Sequence, residues 1–191
     1  NPSNSASATF AFTVNVAGCT FERSLDGAAF VATTTSETLT GLSEGAHTYL
    51  VRAVGPTGVP DPAAASYSWT VDLTPPETSL TLTPDGLTNV NSATFDISAS
   101  EAGCTFERSL DGGAFVVVTS PETLESLADG PHTVQVRARD AAGNADPTPA
   151  SFAWILDTVP PVITGAVIPS PNASGWNNGP VSVLFEAFDP G

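Results

Sequence analysis

Cys104-Thr105-Phe106-Glu107-Arg108-Ser109-Leu110-Asp111-Gly112 repeats, residue for residue, the stretch Cys19-Thr20-Phe21-Glu22-Arg23-Ser24-Leu25-Asp26-Gly27. The two copies stand 104 − 19 = 85 residues apart. Held without a gap, that offset pairs Phe10 with Phe95, His47 with His132, Arg52 with Arg137, Trp69 with Trp154 and Asp72 with Asp157. It also aligns Pro75-Pro76 with Pro160-Pro161. Roughly half the positions from Ala8 to Pro76 recur unchanged between Ala93 and Pro161, so the chain is a tandem repeat. A residue that returns in each repeat serves architecture more often than catalysis, because one chain seldom needs its active site twice.

Around the second copy, alternation and turn residues predict short strands and no helix. Thr78 to Thr83 ends at a Pro-Asp-Gly turn, and Ser92 to Ala99 carries Ala93, Phe95 and Ile97 on one side. Cys104 to Leu110 and Ala114 to Thr119 flank Asp111-Gly112-Gly113, a hairpin signature whose turn needs residues that tolerate positive φ. Thr123 to Leu127, His132 to Arg139 and Ser151 to Asp157 complete about seven strands, a number and spacing that suit two packed antiparallel sheets. Asn1 to Ser7 is polar and has no counterpart of the strand at Thr78 to Thr83, so the first repeat is expected to want an opening strand. Beyond Pro161, Val162 to Ile168 and Val181 to Phe188 read as two strands of a third body, too few to be stable alone. The expected bodies are therefore 1–74, 75–159 and 160–191, joined by Pro-Pro linkers that stiffen each joint.

The chain has 191 residues, 20 acidic and 5 basic, with a formal net charge of −15. All the basic residues are Arg, and Lys is absent. This balance argues against nucleic acid or an anionic membrane as partner, since both demand clustered cations. No apolar run approaches the ~18 residues of a membrane span, and Asn1 opens neither an initiating Met nor a signal peptide.

In combination these residues resemble the tandem bacterial immunoglobulin-like repeats of large secreted and surface proteins. The resemblance rests on Phe106 to Phe115, on Leu127-Ala128-Asp129-Gly130-Pro131-His132-Thr133 with Val136-Arg137-Ala138, and on Asp140 to Asn144 followed by Trp154 and the Asp157 to Pro161 linker. It implies an all-β fold of tandem immunoglobulin-like antiparallel β-sandwiches, outside the cell, serving without catalysis as spacer, adhesin stalk or fibre. Many such repeats carry a cysteine pair at the positions held here by Arg23 and Thr33, and by Arg108 and Val118. Both pairs are missing, so stability must come from packing.

Several residues carry two readings each. Cys19 and Cys104 are either small buried hydrophobes or an interchain disulfide. His47 and His132 lack the acidic or thiol partners of a zinc or catalytic motif and read as structural hydrogen bonders at a strand corner. Asp140, Asn144 and Asp157 are candidate calcium ligands at a joint, or simply turn residues. Trp69 and Trp154, with Tyr67 and Phe152, form either a sugar-stacking platform or core-facing strands, and their alternation favours the core. No Ser/His/Asp set, P-loop or converging carboxylate pair is present, so no enzyme is expected.

The expected partners are other copies of the chain, neighbouring immunoglobulin-like domains, or a cell-surface or glycan ligand. Strands around Val162, Ile163, Val167, Val181, Val183 and Phe185 are candidates for assembly, since the tail of one chain suits the opening of the next by strand addition. The alternative is a spacer or carbohydrate-binding module of a secreted polysaccharide-degrading enzyme.

Overall fold

The computed structural model of the protein describes residues 2–190. Every regular element in it is a strand. The first repeat forms β1 (Pro2–Ser3), β2 (Ser7–Ala11), β3 (Thr20–Leu25), β4 (Val31–Thr33), β5 (Ser36–Thr40), β6 (Gly45–Val54) and β7 (Ala65–Val71). The second forms β8 (Thr78–Leu82), β9 (Leu87–Thr88), β10 (Ala93–Ala99), β11 (Thr105–Leu110), β12 (Val116–Val118), β13 (Glu122–Leu124), β14 (Gly130–Arg139) and β15 (Ala150–Leu156). A hairpin of β16 (Val162–Ile168) and β17 (Ser182–Phe188) follows.

The repeat in sequence becomes a repeat in sheet order. One sheet runs β1-β7-β6-β3-β4 in the first repeat and β9-β15-β14-β11-β12 in the second. The opposing sheet differs: it has three strands, β13-β10-β8, in the second repeat and only β5 and β2 in the first. No sheet mixes strands from different repeats. Contacts group the chain into two compact units. The first is Asn1–Glu77 with the segments Ala99–Thr105 and Arg137–Thr148; the second is Thr78–Ser98, Phe106–Val136 and Pro149–Gly191.

Alternation decides which side chains go inside. Along β14, Val134 and Val136 are buried while Thr133 and Gln135 face water, as the two-residue period of a strand requires. Val134, Val136 and Trp154 from one sheet meet Ala93, Phe95, Ile97 and Leu124 from the other to make the second core. Leu39, Leu42, Tyr49, Trp69 and Val71 make the first. The Asp-Gly turns behave as their sequence predicts: Asp26 and Gly27 have φ of 51° and 78°, and the Ala28 amide donates to the Leu25 carbonyl at 3.0 Å. Both central residues in the left-handed region match the right-handed twist of the flanking strands.

Two short strands escape the sequence reading. β1 and β9 pair parallel with β7 and β15 respectively over two residues, too few to display a period. The strand expected at Thr123 to Leu127 ends early, at Leu124, because Ser126 turns to φ 58°.

Candidate functional site

The difference between the two-stranded and three-stranded sheets creates the most distinctive surface in the molecule. In the second repeat β8 lies along β10, and its Leu80 packs against the core. In the first repeat β2 occupies the place of β10 and pairs with β5, with Ser7 opposite Thr40, Thr9 opposite Thr38 and Ala11 opposite Ser36. Its other edge meets no strand among the described residues. A groove of about 610 Å³ opens there, lined by Ala8, Phe10, Tyr49, Val51, Tyr67 and Trp69 among others.

The repeat itself measures what the groove lacks. Phe95 is fully buried, but its counterpart Phe10 is only half-buried. Tyr67 is 51% exposed, where its counterpart Phe152 is half-buried against the core. The rings form one continuous floor: Phe10 stacks on Tyr49 with centroids 4.1 Å apart, and lies 5.5 Å from Trp69 and 6.1 Å from Tyr67. Trp69 and Trp154 are both buried, so neither offers a flat face to a sugar.

The β16–β17 hairpin is the other uncovered surface. Every residue of both strands is exposed, including Ile163, Val167, Val183 and Phe185. Val162 is exposed as well, and Val181 is exposed just ahead of β17. Gly165 faces Phe185 across the pair, and a Cβ on Gly165 would lie 3.2 Å from the Phe185 ring. The aromatic ring therefore covers the glycine.

The polar residues singled out by sequence are engaged in structural bonds. His47 Nδ1 lies 2.8 Å from Asp26 Oδ2, and Nε2 lies 2.8 Å from the Ser43 carbonyl oxygen. His132 repeats this with Asp111 at 2.9 Å and the Ala128 carbonyl at 2.8 Å. Each imidazole packs beside its tryptophan, with centroids 5.4 and 5.3 Å apart. Between the sheets of the first body, Glu37 accepts from Arg23 Nε at 3.1 Å, Thr33 Oγ1 at 3.1 Å and Tyr49 OH at 2.7 Å. Burial and the Glu37 charge hold the Tyr49 phenol well above its ordinary value, so it stays a donor. Arg23 and Thr33 thus meet through a carboxylate. They are not cross-strand neighbours, since Arg23 pairs with Val31 and Phe21 with Thr33.

Asp140 and Asn144 come together: Asn144 Nδ2 donates to Asp140 Oδ2 at 2.7 Å and to the Asp72 carbonyl at 2.9 Å. Asp157 belongs to the other compact unit. The carboxylates of Asp72, Glu101 and Asp140 offer oxygens within 4.8 Å of one another in the first unit. Desolvation, then the charges of Asp72, Asp140 and Glu44, push the Glu101 carboxyl above its ordinary value. Asp140 is pulled below it: desolvation acts upward, but the hydrogen bonds from Asn144 and the Gly143 and Ala142 amides outweigh it. An acidic trio of this kind is not by itself a metal centre, and no cation role is built on it. Cys19 and Cys104 are partly buried free thiols, and burial pushes Cys104 upward, away from the reactive thiolate.

No family model matches the sequence, and no curated protein matches it. Among solved structures, the chain is similar to fibronectin(III)-like modules of Clostridium thermocellum CbhA, at 18% identity and TM-score 0.47 over 81% of this chain and 87% of that one. It is similar to a Ca2+-stabilised adhesin with which an Antarctic bacterium binds ice, at 15% identity and TM-score 0.43 over 90% and 49%. It is also similar to a tetra-tandem repeat from the extending region of a large adhesion protein, at 17% identity and TM-score 0.36 over 91% and 55%. These likenesses stand beside the strand order, and the strand order carries the conclusion: the chain is built of tandem immunoglobulin-like antiparallel β-sandwiches.

Proposed function

We propose that the protein is a non-catalytic, extracellular structural or adhesive segment of bacterial type, its tandem immunoglobulin-like bodies forming a stalk or filament extended end to end by strand complementation. The observation that carries this reading is the duplicated sandwich with one two-stranded sheet and one uncovered hairpin. The residues with chemical potential support it, because both histidines, both core tryptophans and Glu37 are held in bonds or packing that the fold uses.

A second reading, a carbohydrate-binding or spacer module of a polysaccharide-degrading enzyme, is favoured by one feature: the aromatic groove at Phe10 and Tyr67. Titration with soluble polysaccharides, followed by tryptophan fluorescence, separates the two. The structural reading predicts no saturable change and no hydrolysis. A saturable shift that Tyr67→Ala abolishes would replace it with the glycan reading.

A further inference from the structure

We propose that the open flank of the first body is the acceptor for β16 of a second copy of this chain, which lies along the outer edge of β2 and closes the groove over Phe10, Tyr67 and Trp69. The inference rests on the structural reading above and names its partner, its two surfaces and its register.

The argument begins with what fills the same flank one repeat later. There β8 pairs with β10, with Thr78 and Leu80 turned toward the core and Ser79 and Thr81 toward water. Moving forward by the repeat offset, Thr78 to Leu82 becomes Ile163 to Val167, and this segment is the body of β16. The donor is therefore the chain's own counterpart of β8, the strand that flanks β10 in the second body. Within its own chain β16 pairs with β17, belongs to the other compact unit, and leaves its second edge without a partner strand among the described residues.

Chemistry matches at both surfaces. Edge strands are ordinarily guarded by charge or proline against pairing with another chain. β2 reads Ser-Ala-Thr-Phe-Ala and β16 reads Val-Ile-Thr-Gly-Ala-Val-Ile, so neither holds any of the charged residues of this strongly acidic chain, and neither holds a proline. Parity fixes which side chains enter. Ile163 and Gly165 take the places of the inward Thr78 and Leu80, Val167 takes that of Leu82 at the exposed end of β8, and a shift by one residue would turn the wrong face inward. Gly165 has no side chain to replace Leu80, but the Phe185 ring lies over it and brings an aromatic group to that level. The wide, ring-lined groove of the first body suits such an occupant. Joined this way, β16 is shared between β2 of one copy and β17 of the other.

Donor and acceptor are different surfaces of one chain, so each copy offers both, and the contact propagates head to tail unless the ring closes. That asymmetry supplies the test. Sedimentation velocity on the full 191-residue chain is compared with an acceptor variant, Tyr67→Glu, and a donor variant, Val167→Glu. Both positions are exposed, and circular dichroism verifies that the variants fold. The native chain is expected to form larger species as concentration rises, and each variant alone to remain monomeric. An equal mixture of the two variants is expected to give one discrete 1:1 pair and nothing larger, because one intact acceptor meets one intact donor. A native chain that is monomeric at every concentration, association that survives Val167→Glu, or a mixture that stays monomeric would each overturn the proposal. Those failures remove the extension by strand complementation and leave the non-catalytic structural segment standing, since that part of the reading falls to glycan binding or hydrolysis.

Discussion

His47 has an oxygen acceptor at each ring nitrogen, the Asp26 carboxylate at 2.8 Å and the Ser43 carbonyl at 2.8 Å, and only the imidazolium donates to both. The Ser43 carbonyl and then Asp26 raise the histidine above its ordinary value, and the Ala128 carbonyl and then Asp111 do the same for His132. Asp26 is lowered, chiefly by the Thr48 amide, with His47 assisting against desolvation. A raised histidine contributes stability that is fully present below the unfolded value of about 6.5 and is lost as pH rises through the folded value. The lowered aspartate contributes stability present above the ordinary carboxylate value and lost as pH falls through its folded one. Urea midpoints are therefore expected to decline from mildly acidic to alkaline pH, and the double variant His47→Gln, His132→Gln to flatten that decline. An unchanged slope in the variant would remove the histidines from the explanation. Glu101 carries the opposite sign, because an acid raised by desolvation and then by its acidic neighbours destabilises the fold once it ionises. Glu101→Gln is expected to raise the thermal midpoint at neutral pH and to have no such effect in acid, where Glu101 is already protonated.

At the scale of strands, the value of a side chain depends on whether its sheet is closed. Phe95→Ala is expected to cost about 3–5 kcal/mol in denaturant unfolding, because a fully buried ring leaves a cavity. Tyr67→Ala, at the open flank, is expected to stay within about 0.5 kcal/mol. Glu37→Gln is expected to cost about 1–3 kcal/mol, since it weakens acceptance from Arg23, Thr33 and Tyr49 together. Much of this level was legible in the sequence. The Asp-Gly hairpins and the inward Val134 and Val136 follow from alternation and the positive φ that Asp and Gly accept, and the strand at β16 was legible as an apolar run. β1 and β9 were not legible, because two residues show no period. Nor was the clustering of Asp72, Glu101 and Asp140, since the repeat gives Glu101 and Asp140 no acidic counterpart, only Val16 and Gly55. The Glu37 clamp was hidden too: a carboxylate on β5 reaches across to β3, β4 and β6, and no local pattern encodes an approach between sheets.

For the whole molecule, charge and assembly act against each other. Copies with a net charge of −15 repel, and salt screens that repulsion within about 8–10 Å, so association through the uncharged edges of β2 and β16 is expected to strengthen with ionic strength. Weakening by added salt would point instead to a contact held by ion pairs. The most direct measurement is electron microscopy of the full chain over a concentration series at moderate salt, beside the same chain without residues 162–191. The expected result is filaments with an axial repeat of one chain, absent once that tail is removed. Separate particles at every concentration, or filaments that persist without the tail, would contradict assembly by strand complementation.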